Sequence, residues 1–224
     1  MYHPLIREVR YDGGAIYSEN RLCAVDFEAS SDNKGFEGLQ VVAVDGEKYF
    51  VGLCEGNYCS HGRKGRESGN GRLVLIGFGP HSISEAKHQY LVDVGIGCLY
   101  STMDTVALPP AVDFVDYSAL QFRPCNDSGD GFNYEVVVVS QESAALWRGK
   151  AEWTQQNGLR FGGGAIYQFP KGGDCQTQFC NVEGVQMLDD DSFVMVSDEV
   201  KGRGKQPWIC GQKDQSIHIF KIRP

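Results

Sequence analysis

A short pattern of apolar and polar positions occurs three times along the chain. In each copy a small turn leads into a short strand, a polar turn and a stronger apolar strand, which ends in polar or acidic residues. The copies begin at residues 36–40 (Phe-Glu-Gly-Leu-Gln), 118–121 (Ser-Ala-Leu-Gln) and 182–186 (Val-Glu-Gly-Val-Gln). Their stronger strands are residues 49–54, 134–140 and 192–197. Repetition of a unit of this size is typical of repeat architectures, in which each unit is one supersecondary element.

Further apolar runs extend each copy towards a unit of four strands. Asp45-Gly46 is a strong hairpin signal between the first two strands, and four consecutive valines at 136–139 predict a strand covered on both faces. Other strands are expected at residues 72–78, 89–94, 144–149, 164–170 and 216–222, with weaker candidates at 15–17 and 21–27 and a helical turn at 82–87. No segment has the pattern of an amphipathic helix, so the chain is predicted to be all-β.

Four-stranded antiparallel units that recur in sequence predict the blades of a β-propeller. We expect one domain over residues 1–224, with repeat units at about 36–115, 116–181 and 182–224 and Pro109-Pro110 at the first boundary. About three to four blades are present by this reckoning, whereas a closed propeller has four to eight. Either the four-bladed minimum closes or the propeller is incomplete. A β-sandwich is the alternative fold, although it does not explain the repetition.

Composition and charge limit the classes of function. The chain has 224 residues, of which 42% are apolar, and its net charge is -8. This charge argues against a general nucleic-acid binder, which needs a basic surface, and it permits a metal-binding protein. No run approaches the roughly 20 apolar residues of a membrane helix, and residues 1–4 lack the pattern of a signal peptide. We therefore expect a soluble protein without nucleic-acid or membrane partners.

Eight cysteines are many for a cytosolic protein of this size and few for a disulfide scaffold. Cys54/Cys59 and Cys175/Cys180 each enclose four residues, and His61 is the only histidine near either pair. This loose spacing makes zinc a weak hypothesis. A local disulfide between Cys54 and Cys59 is a second interpretation. Free thiols, buried or at the surface, are the favoured one.

Four segments resemble a known family. They are residues 52–59 (Gly-Leu-Cys-Glu-Gly-Asn-Tyr-Cys), 69–72 (Gly-Asn-Gly-Arg), 139–147 (Val-Ser-Gln-Glu-Ser-Ala-Ala-Leu-Trp) and 213–220 (Lys-Asp-Gln-Ser-Ile-His-Ile-Phe). From about residue 34 onward the chain is similar to the phytase-like (esterase-like phytase) β-propeller group. The resemblance implies a propeller fold and says less about activity, because propellers host many functions. Members of this group are longer and carry more blades upstream, which implies that this chain is short at its N-terminus.

The predicted topology brings polar side chains to one face of the propeller. Because neighbouring strands are antiparallel, the turn before the first strand and the loop after the second strand share one end of each blade. The candidate metal ligands at these positions are Glu37, Asn57, Glu183, Asp198 and Glu199. Glu55 and Glu142 follow the second strand of their units and are the candidate catalytic carboxylates. The candidate ligand-binding residues of the basic loops are Arg63, Lys64, Arg66, Arg203 and Lys205.

Carboxylate, amide and backbone oxygens suit Ca²⁺, which takes six to eight oxygen ligands. Several acids can crowd around an axis only with a cation or with raised pKa values. Calcium beside Arg and Lys fits a phosphate ester, since the metal polarises the phosphoryl oxygen and activates water, and Glu55 or Glu142 would act as the general base. Loop placement and the resemblance together predict a calcium-dependent hydrolase or binder of phosphorylated or other anionic small molecules.

The main alternative is a non-catalytic propeller that presents one face to a protein partner, with an extracellular or periplasmic scaffold as a variant. In that case Glu37 and Glu183 accept backbone N–H groups and join neighbouring units. The second unit has Ser118 at this position, which weakens a symmetric metal ring. The basic residues stand among glycines and are then solvated loops. His218 alternates with apolar residues and is expected at a unit interface or in solvent.

Other catalytic patterns find little support. Ser140 and Ser197 have no His and acid nearby in sequence, and no nucleophile elbow is present, although a triad assembles in space rather than in sequence. The glycines at 162–164 lack the Lys-Ser/Thr that follows in a phosphate-binding loop.

Overall fold

Antiparallel strands account for most of the structure, which is a computed structural model. It describes residues 3–12, 15–29, 35–83, 89–125, 131–199, 210 and 215–222. This part of the chain contains fifteen strands, a 3-10 turn at Asn57–Cys59 and two short helices, α1 (Gly62–Gly65) and α2 (Gln89–Asp93). The prediction of an all-β chain is confirmed. No helix among these residues is long and apolar enough to cross a membrane.

The strands form four sheets. From one edge to the other, the N-terminal sheet contains β1 (Leu5–Asp12), β2 (Ala15–Val25), β7 (Cys98–Tyr100) and β6 (His81–Ser82). In the same sense, the first repeat sheet contains β3 (Phe36–Val44), β4 (Glu47–Cys54), β5 (Arg72–Gly77) and β8 (Thr102–Ala107). The second repeat sheet contains β9 (Ala119–Pro124), β10 (Tyr134–Ser140), β11 (Ala145–Thr154) and β12 (Gly158–Gln168). The third repeat sheet contains β13 (Val182–Met187), β14 (Ser192–Ser197) and β15 (Ile217–Lys221).

All described strand pairs in the three repeat sheets are antiparallel, whereas β2 and β7 of the N-terminal sheet pair in parallel. The first and second repeat sheets each have four strands, and the third has three in the described part of the chain. The β3–β4 hairpin has a turn with two central residues, Asp45 and Gly46, and both have positive φ. Each repeat sheet also contains a register shift, between β3 and β4 and between β5 and β8 in the first, between β11 and β12 in the second and between β13 and β14 in the third.

Apolar cores lie between successive sheets. One core joins the first and second repeat sheets through residues such as Leu53, Leu73 and Trp147, and another joins the second and third through Phe193 and Met195. β10 is buried on both faces because it belongs to the middle sheet, as its run of valines predicts. The strand β9 lies beside both β3 and β13, so the first strands of the three repeat sheets are neighbours.

The strand predictions hold best in the second and third repeat sheets and fail in one segment of the first. Residues 89–94, expected as a strand, contain helix α2, and the fourth strand of the first repeat sheet is β8. A short apolar run fits a helix as well as a strand, and here Leu91 packs with Ile96 and Leu99 beneath the N-terminal sheet. The helical turn expected at 82–87 begins with β6 at His81–Ser82, and residues 84–88 lie outside the described residues.

The cysteines form more disulfides than the sequence favours. Cys54 bonds to Cys59, the interpretation held second, while Cys23 bonds to Cys98 and Cys180 to Cys210. The expectation of free thiols is correct only for Cys125 and Cys175. Two of the three bonds join residues far apart in sequence, and spacing alone cannot identify such partners. Cys175 and Cys180, the other pair with four residues between them, are not bonded to each other.

Candidate functional site

The three sequence repeats begin at the same end of the stacked sheets. Glu37 and Glu183 hold equivalent positions, since each is the additional residue of a β-bulge at the start of the first strand. Ser118 precedes β9 at the corresponding place in the second repeat sheet. It is buried, and its hydroxyl donates to the backbone oxygen of Val182 at 2.7 Å. Ser118 therefore links the second repeat sheet to the third.

A cavity of about 190 Å³ opens at this end, between the first and second repeat sheets. Its polar lining consists of Glu55, Ser60, His61, Arg66, Asp116, Gln141 and Glu142. The two predicted catalytic carboxylates, Glu55 and Glu142, thus share one cavity with Arg66, one of the predicted ligand-binding residues. We call this end of the molecule the cavity end and the opposite end, which carries the Asp45-Gly46 turn, the hairpin end.

Asp116 is a cavity carboxylate that is held by two hydrogen bonds. Its Oδ1 accepts a hydrogen bond from the hydroxyl of Ser140 at 2.5 Å and another from the backbone N–H of Glu142 at 3.1 Å. Burial raises the pKa of Asp116 above its ordinary value of 3.8, and these two hydrogen bonds oppose the rise. The negative charges of Glu142 and Glu55 raise the pKa further. A carboxyl with a raised pKa in a cleft is a candidate for a functional group.

Arg66 and Glu142 face each other across the mouth of the cavity. The guanidinium donates from Nη1 to Oε1 at 3.1 Å and from Nη2 to Oε2 at 2.5 Å. Their side chains are 63% and 41% exposed. Exposed ion pairs of this kind contribute only about 0.2–1 kcal/mol to stability, so both groups can separate at little cost when another charge approaches.

The loop that carries Arg66 is held by a buried amide. Asn57 is fully buried, and its Nδ2 donates to three backbone oxygens, those of Gly65 at 3.3 Å, Phe114 at 3.1 Å and Val115 at 2.9 Å. Its Oδ1 accepts from the N–H of Asn70 at 2.8 Å and from the hydroxyl of Tyr117 at 3.0 Å. With these contacts the Asn57 side chain fixes the cavity wall, which gives it a structural role beside the predicted metal-binding one.

Close backbone packing completes the wall. The Cys54–Cys59 disulfide closes the start of the loop. A Cβ atom at Gly56 would lie 2.3 Å from the backbone oxygen of Ser60, and one at Gly65 would lie 2.0 Å from the same atom. Only glycine fits at these two positions, because the shortest real contacts of a Cβ atom are longer. Close backbone contacts therefore shape this part of the cavity wall.

The remaining predicted residues do not line the cavity. Arg63 and Lys64 are exposed on α1 beside it, and the Lys64 ammonium lies 5.2 Å from the centre of the Tyr58 ring. Arg203 and Lys205 lie outside the described residues. The other candidate metal ligands lie at the bulges and at the end of β14, namely Glu37, Glu183, Asp198 and Glu199.

Hydrogen bonds to backbone groups hold the segment that follows β14 in the third repeat sheet. The N–H of Asp198 donates to the oxygen of Asn181 at 2.9 Å, and the Asn181 amide donates to the backbone oxygen of Glu199 at 2.8 Å. Among the residues with described positions, no group of three or more His, Cys, Asp or Glu side chains is arranged as a metal site.

The two serines considered from the sequence have partners after all. Ser140 donates to Asp116 in the cavity. The Ser197 hydroxyl lies 3.0 Å from Nε2 of His218, whose ring packs against Phe179 with ring centres 5.0 Å apart. Ser197 is buried, so the Ser197–His218 pair lies at the sheet interface, one of the two places expected for His218.

Neither the models of known protein families nor the sequences of curated proteins give a match to this chain. Sequence reasoning did not find Asp116, His61 or Gln141, which the fold adds to the cavity. Asp116 precedes the first strand of the second unit, two residues before the repeat begins, and the repeats give no signal at that position.

Proposed function

We propose that the protein is a phytase-like β-propeller that binds calcium and a phosphorylated small molecule at the cavity end, and that it hydrolyses the phosphate ester. The observation that carries the proposal is the shared cavity of Glu55, Asp116 and Glu142, with Arg66 at its mouth. Three antiparallel repeat sheets whose first strands are neighbours, two of them with four strands and one with three in the described part of the chain, support the propeller. Calcium, the phosphate ester and hydrolysis rest on the chemistry of the cavity residues.

The charge of the cavity favours a cation. The negative charges of Glu55 and Glu142 raise the pKa of Asp116, which means that the three carboxylates repel one another. A bound cation would relieve this repulsion, and carboxylate and amide oxygens such as those of Gln141 are the ligands that Ca²⁺ prefers. When bound, calcium would supply a positive charge that polarises a phosphoryl oxygen. The exposed carboxylate of Glu142 is the most free to turn towards it.

The same cavity offers donors to an anion. Arg66 holds Glu142 with two parallel N–H···O bonds, the geometry in which a guanidinium also binds phosphate. His61 lines the cavity, and the exposed Arg63 and Lys64 lie on the adjoining helix α1. A phosphate group would therefore replace Glu142 as the partner of Arg66. An anionic small molecule fits these residues better than a neutral one.

Two carboxylates suit the role of general base. Asp116 has a raised pKa and is positioned by the Ser140 hydroxyl, while Glu55 lines the cavity with its side chain half-buried. A base whose pKa lies nearer to neutrality takes a proton from water more effectively. We therefore assign proton abstraction to Asp116, with Glu55 as the second candidate, and we assign to Glu142 a binding role.

The first experiment is a calorimetric titration of EDTA-treated protein with CaCl₂. Binding is expected for the unchanged chain and is expected to be at least about tenfold weaker in Glu55→Gln and Glu142→Gln, since each variant removes one carboxylate. Glu152→Gln is the matched control, because Glu152 also forms an ion pair, with Arg160, but near the hairpin end. Absence of any heat, together with an unmoved melting temperature, would rule out calcium.

The second experiment measures turnover of generic phosphate monoesters with and without calcium. Asp116→Asn is expected to lower kcat by about 10²-fold or more, the usual contribution of general base catalysis, while leaving calcium binding detectable. Glu183→Gln changes a bulge carboxylate outside the cavity and tests whether the predicted metal ligands of the repeats take part. Calcium binding without turnover of any phosphate ester would reduce the proposal to a binding protein.

The disulfides support an oxidising compartment. Three of them are present in the described part of the chain, and disulfides persist outside the cytosol, where the surroundings are not kept reduced. Calcium is also more available to proteins of 10⁻⁴–10⁻³ M affinity in such compartments, as in extracellular calcium-binding modules. We therefore place the protein outside the reducing cytosol.

A further inference from the structure

A second pocket lies at the hairpin end, between the first and second repeat sheets and towards their outer strands. Its volume is about 370 Å³, compared with about 190 Å³ for the cavity at the other end. It is lined by the apolar side chains of Tyr49, Leu75, Met103 and Trp153 and by the polar residues Asp104, Thr154 and Gln155, with Gly158 beside them. Small-molecule sites typically have a mostly apolar lining, a few polar groups and a volume of about 300–1,000 Å³. We call this site the hairpin-end pocket.

Two glycines leave the space in which the hairpin-end pocket lies. The register places Gly77 opposite Tyr49, on the face of β5 from which Leu75 packs against the second repeat sheet. Apart from its chain neighbours, the nearest atom to a Cβ at Gly77 would be the Sδ of Met103, at 3.8 Å. On the opposite wall Gly158 has positive φ, and a Cβ there would meet nothing within 4 Å. No side chain of β5 therefore fills the gap beyond Leu75.

A β-bulge turns two consecutive residues of β8 towards this pocket. The register pairs Leu75 with Asp104 and Ile76 with Thr102. Met103 is therefore the additional residue of the bulge. Consecutive residues of a regular strand point to opposite faces, whereas Met103 and Asp104 both line the pocket. Bulges re-aim side chains in this way and are common beside functional sites, and here the bulge brings a thioether and a carboxylate into one pocket.

The charge around the hairpin-end pocket is negative. The carboxylate of Asp104 is exposed, and among the described residues its only partner is the backbone N–H of the next residue, at 2.7 Å. Asp45 adds a second negative charge nearby, since its Oδ2 accepts from the N–H of Gln155 at 2.9 Å. The described residues that line the pocket include no lysine, arginine or histidine. Lys48, the residue before Tyr49, instead holds its ammonium 5.6 Å from the centre of the Phe78 ring.

Two aromatic rings share the pocket with the Asp104 carboxylate. The rings of Tyr49 and Trp153 have their centres 5.2 Å apart. Tyr49 is half-buried, and Trp153 is 4% exposed. The face of an aromatic ring attracts a cation, and a carboxylate attracts the same charge, whereas both repel an anion. A neutral molecule would gain only from the apolar part of the lining. The ligand that uses every part of the pocket has a positive charge and an apolar body.

We propose that the hairpin-end pocket binds a small organic cation, an ammonium or guanidinium group on an apolar body. The apolar body lies against Leu75 and Trp153, and the cation lies between the Tyr49 ring and the Asp104 carboxylate. A pocket of about 370 Å³ holds a small molecule rather than a folded partner. Binding here requires neither calcium nor a phosphate ester, and it takes place at the opposite end of the molecule from the cavity.

An NMR titration of the ¹⁵N-labelled full chain with phenethylamine tests the proposal. This probe carries an ammonium group beside a phenyl ring, and 2-phenylethanol is its neutral counterpart. In EDTA and at fixed ionic strength, we expect the indole N–H signal of Trp153 to shift with a Kd of about 1 mM, as for a small fragment. Trp153→Phe identifies that signal, which also separates this pocket from the carboxylates of the cavity end. The alcohol should bind about tenfold more weakly, because it lacks the charge that Tyr49 and Asp104 attract.

Two variants separate the contributions of the carboxylate and the ring. Asp104→Asn keeps an acceptor for the backbone N–H and should weaken binding of the amine about threefold, while binding of the alcohol is unchanged. Tyr49→Leu keeps an apolar side chain without the ring and should weaken binding of the amine by about threefold or more. Asp191→Asn is the matched control, because Asp191 is exposed in the β13–β14 turn of the third repeat sheet, and it should leave the affinity unchanged.

Three results would overturn the proposal. One is a Trp153 signal that does not move at about 20 mM phenethylamine, which is far above the expected Kd. Another is an alcohol that binds as tightly as the amine, since the pocket would then not select a cation. The third is the same affinity for the amine in Asp104→Asn and Asp191→Asn.

Discussion

The cavity end and the hairpin end of the stacked sheets are connected in different ways. At the hairpin end the chain reverses in tight turns whose glycines, Gly46 and Gly158, have positive φ, and Asp45 accepts a hydrogen bond from the N–H of Gln155. At the cavity end a longer loop follows β4. It is held by the buried side chain of Asn57 and by the Cys54–Cys59 disulfide. Short turns close one end, and buried side-chain contacts fix the other.

This difference decides how the walls of the cavity are built. A pocket also lies at the hairpin end, lined by Tyr49, Trp153 and Gly158 among others, but at the cavity end a long loop bends over the gap between neighbouring sheets and lines it. A long loop is useful for binding only if it is held in place, and here buried polar groups hold it. The cost of such a network is that the loss of one member leaves the others without partners. Changes at the cavity end are therefore expected to reduce stability more than matched changes at the hairpin end.

Replacement of Asn57 should have the largest effect. Asn57→Ala leaves three backbone oxygens and the Tyr117 hydroxyl without their partner in a buried site, and we expect the free energy of unfolding to fall by about 3 kcal/mol. Asn157→Ala is the matched control in the exposed β11–β12 turn and should change it by less than about 0.5 kcal/mol. Urea unfolding followed by circular dichroism measures both. Equal effects would remove the distinction between the two ends.

Loss of the loop disulfide should come next. The double variant Cys54→Ser/Cys59→Ser frees a short loop in the unfolded state, for which chain entropy predicts a loss of about 2 kcal/mol. Cys125→Ser changes a free, partly buried thiol that follows β9 near the hairpin end, and it should change stability by less than about 1 kcal/mol. Thermal unfolding under non-reducing conditions compares them. A double variant as stable as the unchanged protein would show that Asn57 alone holds the loop.

Asp116→Asn should change how stability depends on pH. Because the pKa of Asp116 is raised in the folded state, that state binds more protons than the unfolded chain above the ordinary value of 3.8. Stability therefore falls as pH rises through the folded pKa, and the penalty is absent at lower pH. Asparagine keeps an oxygen for Ser140 without the charge. The variant should gain stability relative to the unchanged protein as pH rises from about 4 to about 7.

This profile is measured by urea unfolding in EDTA. Glu142→Gln provides an internal check, because it removes a charge that raises the pKa of Asp116. The dependence attributed to Asp116 should be smaller in that background. Parallel curves for Asp116→Asn and the unchanged protein would contradict the raised pKa and weaken the assignment of Asp116 as a base.

The repeat sheets could be predicted from sequence where alternation and repetition agree. The valines of β10 were found because both faces of this strand are buried, and the final strand β15 was found because its exposed and partly buried residues alternate. β8 was missed because most of its residues are exposed and its apolar signal is weak. The parallel pair of β2 and β7 brings together segments far apart in sequence, and no local pattern encodes such a pairing.

The candidate site could be predicted only in part for a related reason. The antiparallel rule placed Glu55, Arg66 and Glu142 at one end, and the structure brings all three to one cavity. The rule does not say which side of a loop faces a neighbouring sheet. Asn57 was therefore predicted to be a metal ligand, although its side-chain amide is hydrogen-bonded within the cavity wall. Asp116 was not predicted. Repeats predict which end of a sheet a residue lies at, while loop packing decides what it faces.

The exposed Arg66–Glu142 pair should have the smallest effect on stability, and this is what separates its role from that of Asn57. Arg66→Ala is expected to lower the free energy of unfolding by no more than about 0.5 kcal/mol, and Arg160→Ala near the hairpin end by a similar amount, since both arginine side chains are exposed. Urea unfolding without calcium measures the two variants. A loss above about 2 kcal/mol for Arg66→Ala would mean that the pair supports the loop. A small loss would mean that Arg66 and Glu142 can release each other at little cost. Arg66 could then bind an anion and Glu142 a cation, which is what a binding site at the cavity end requires.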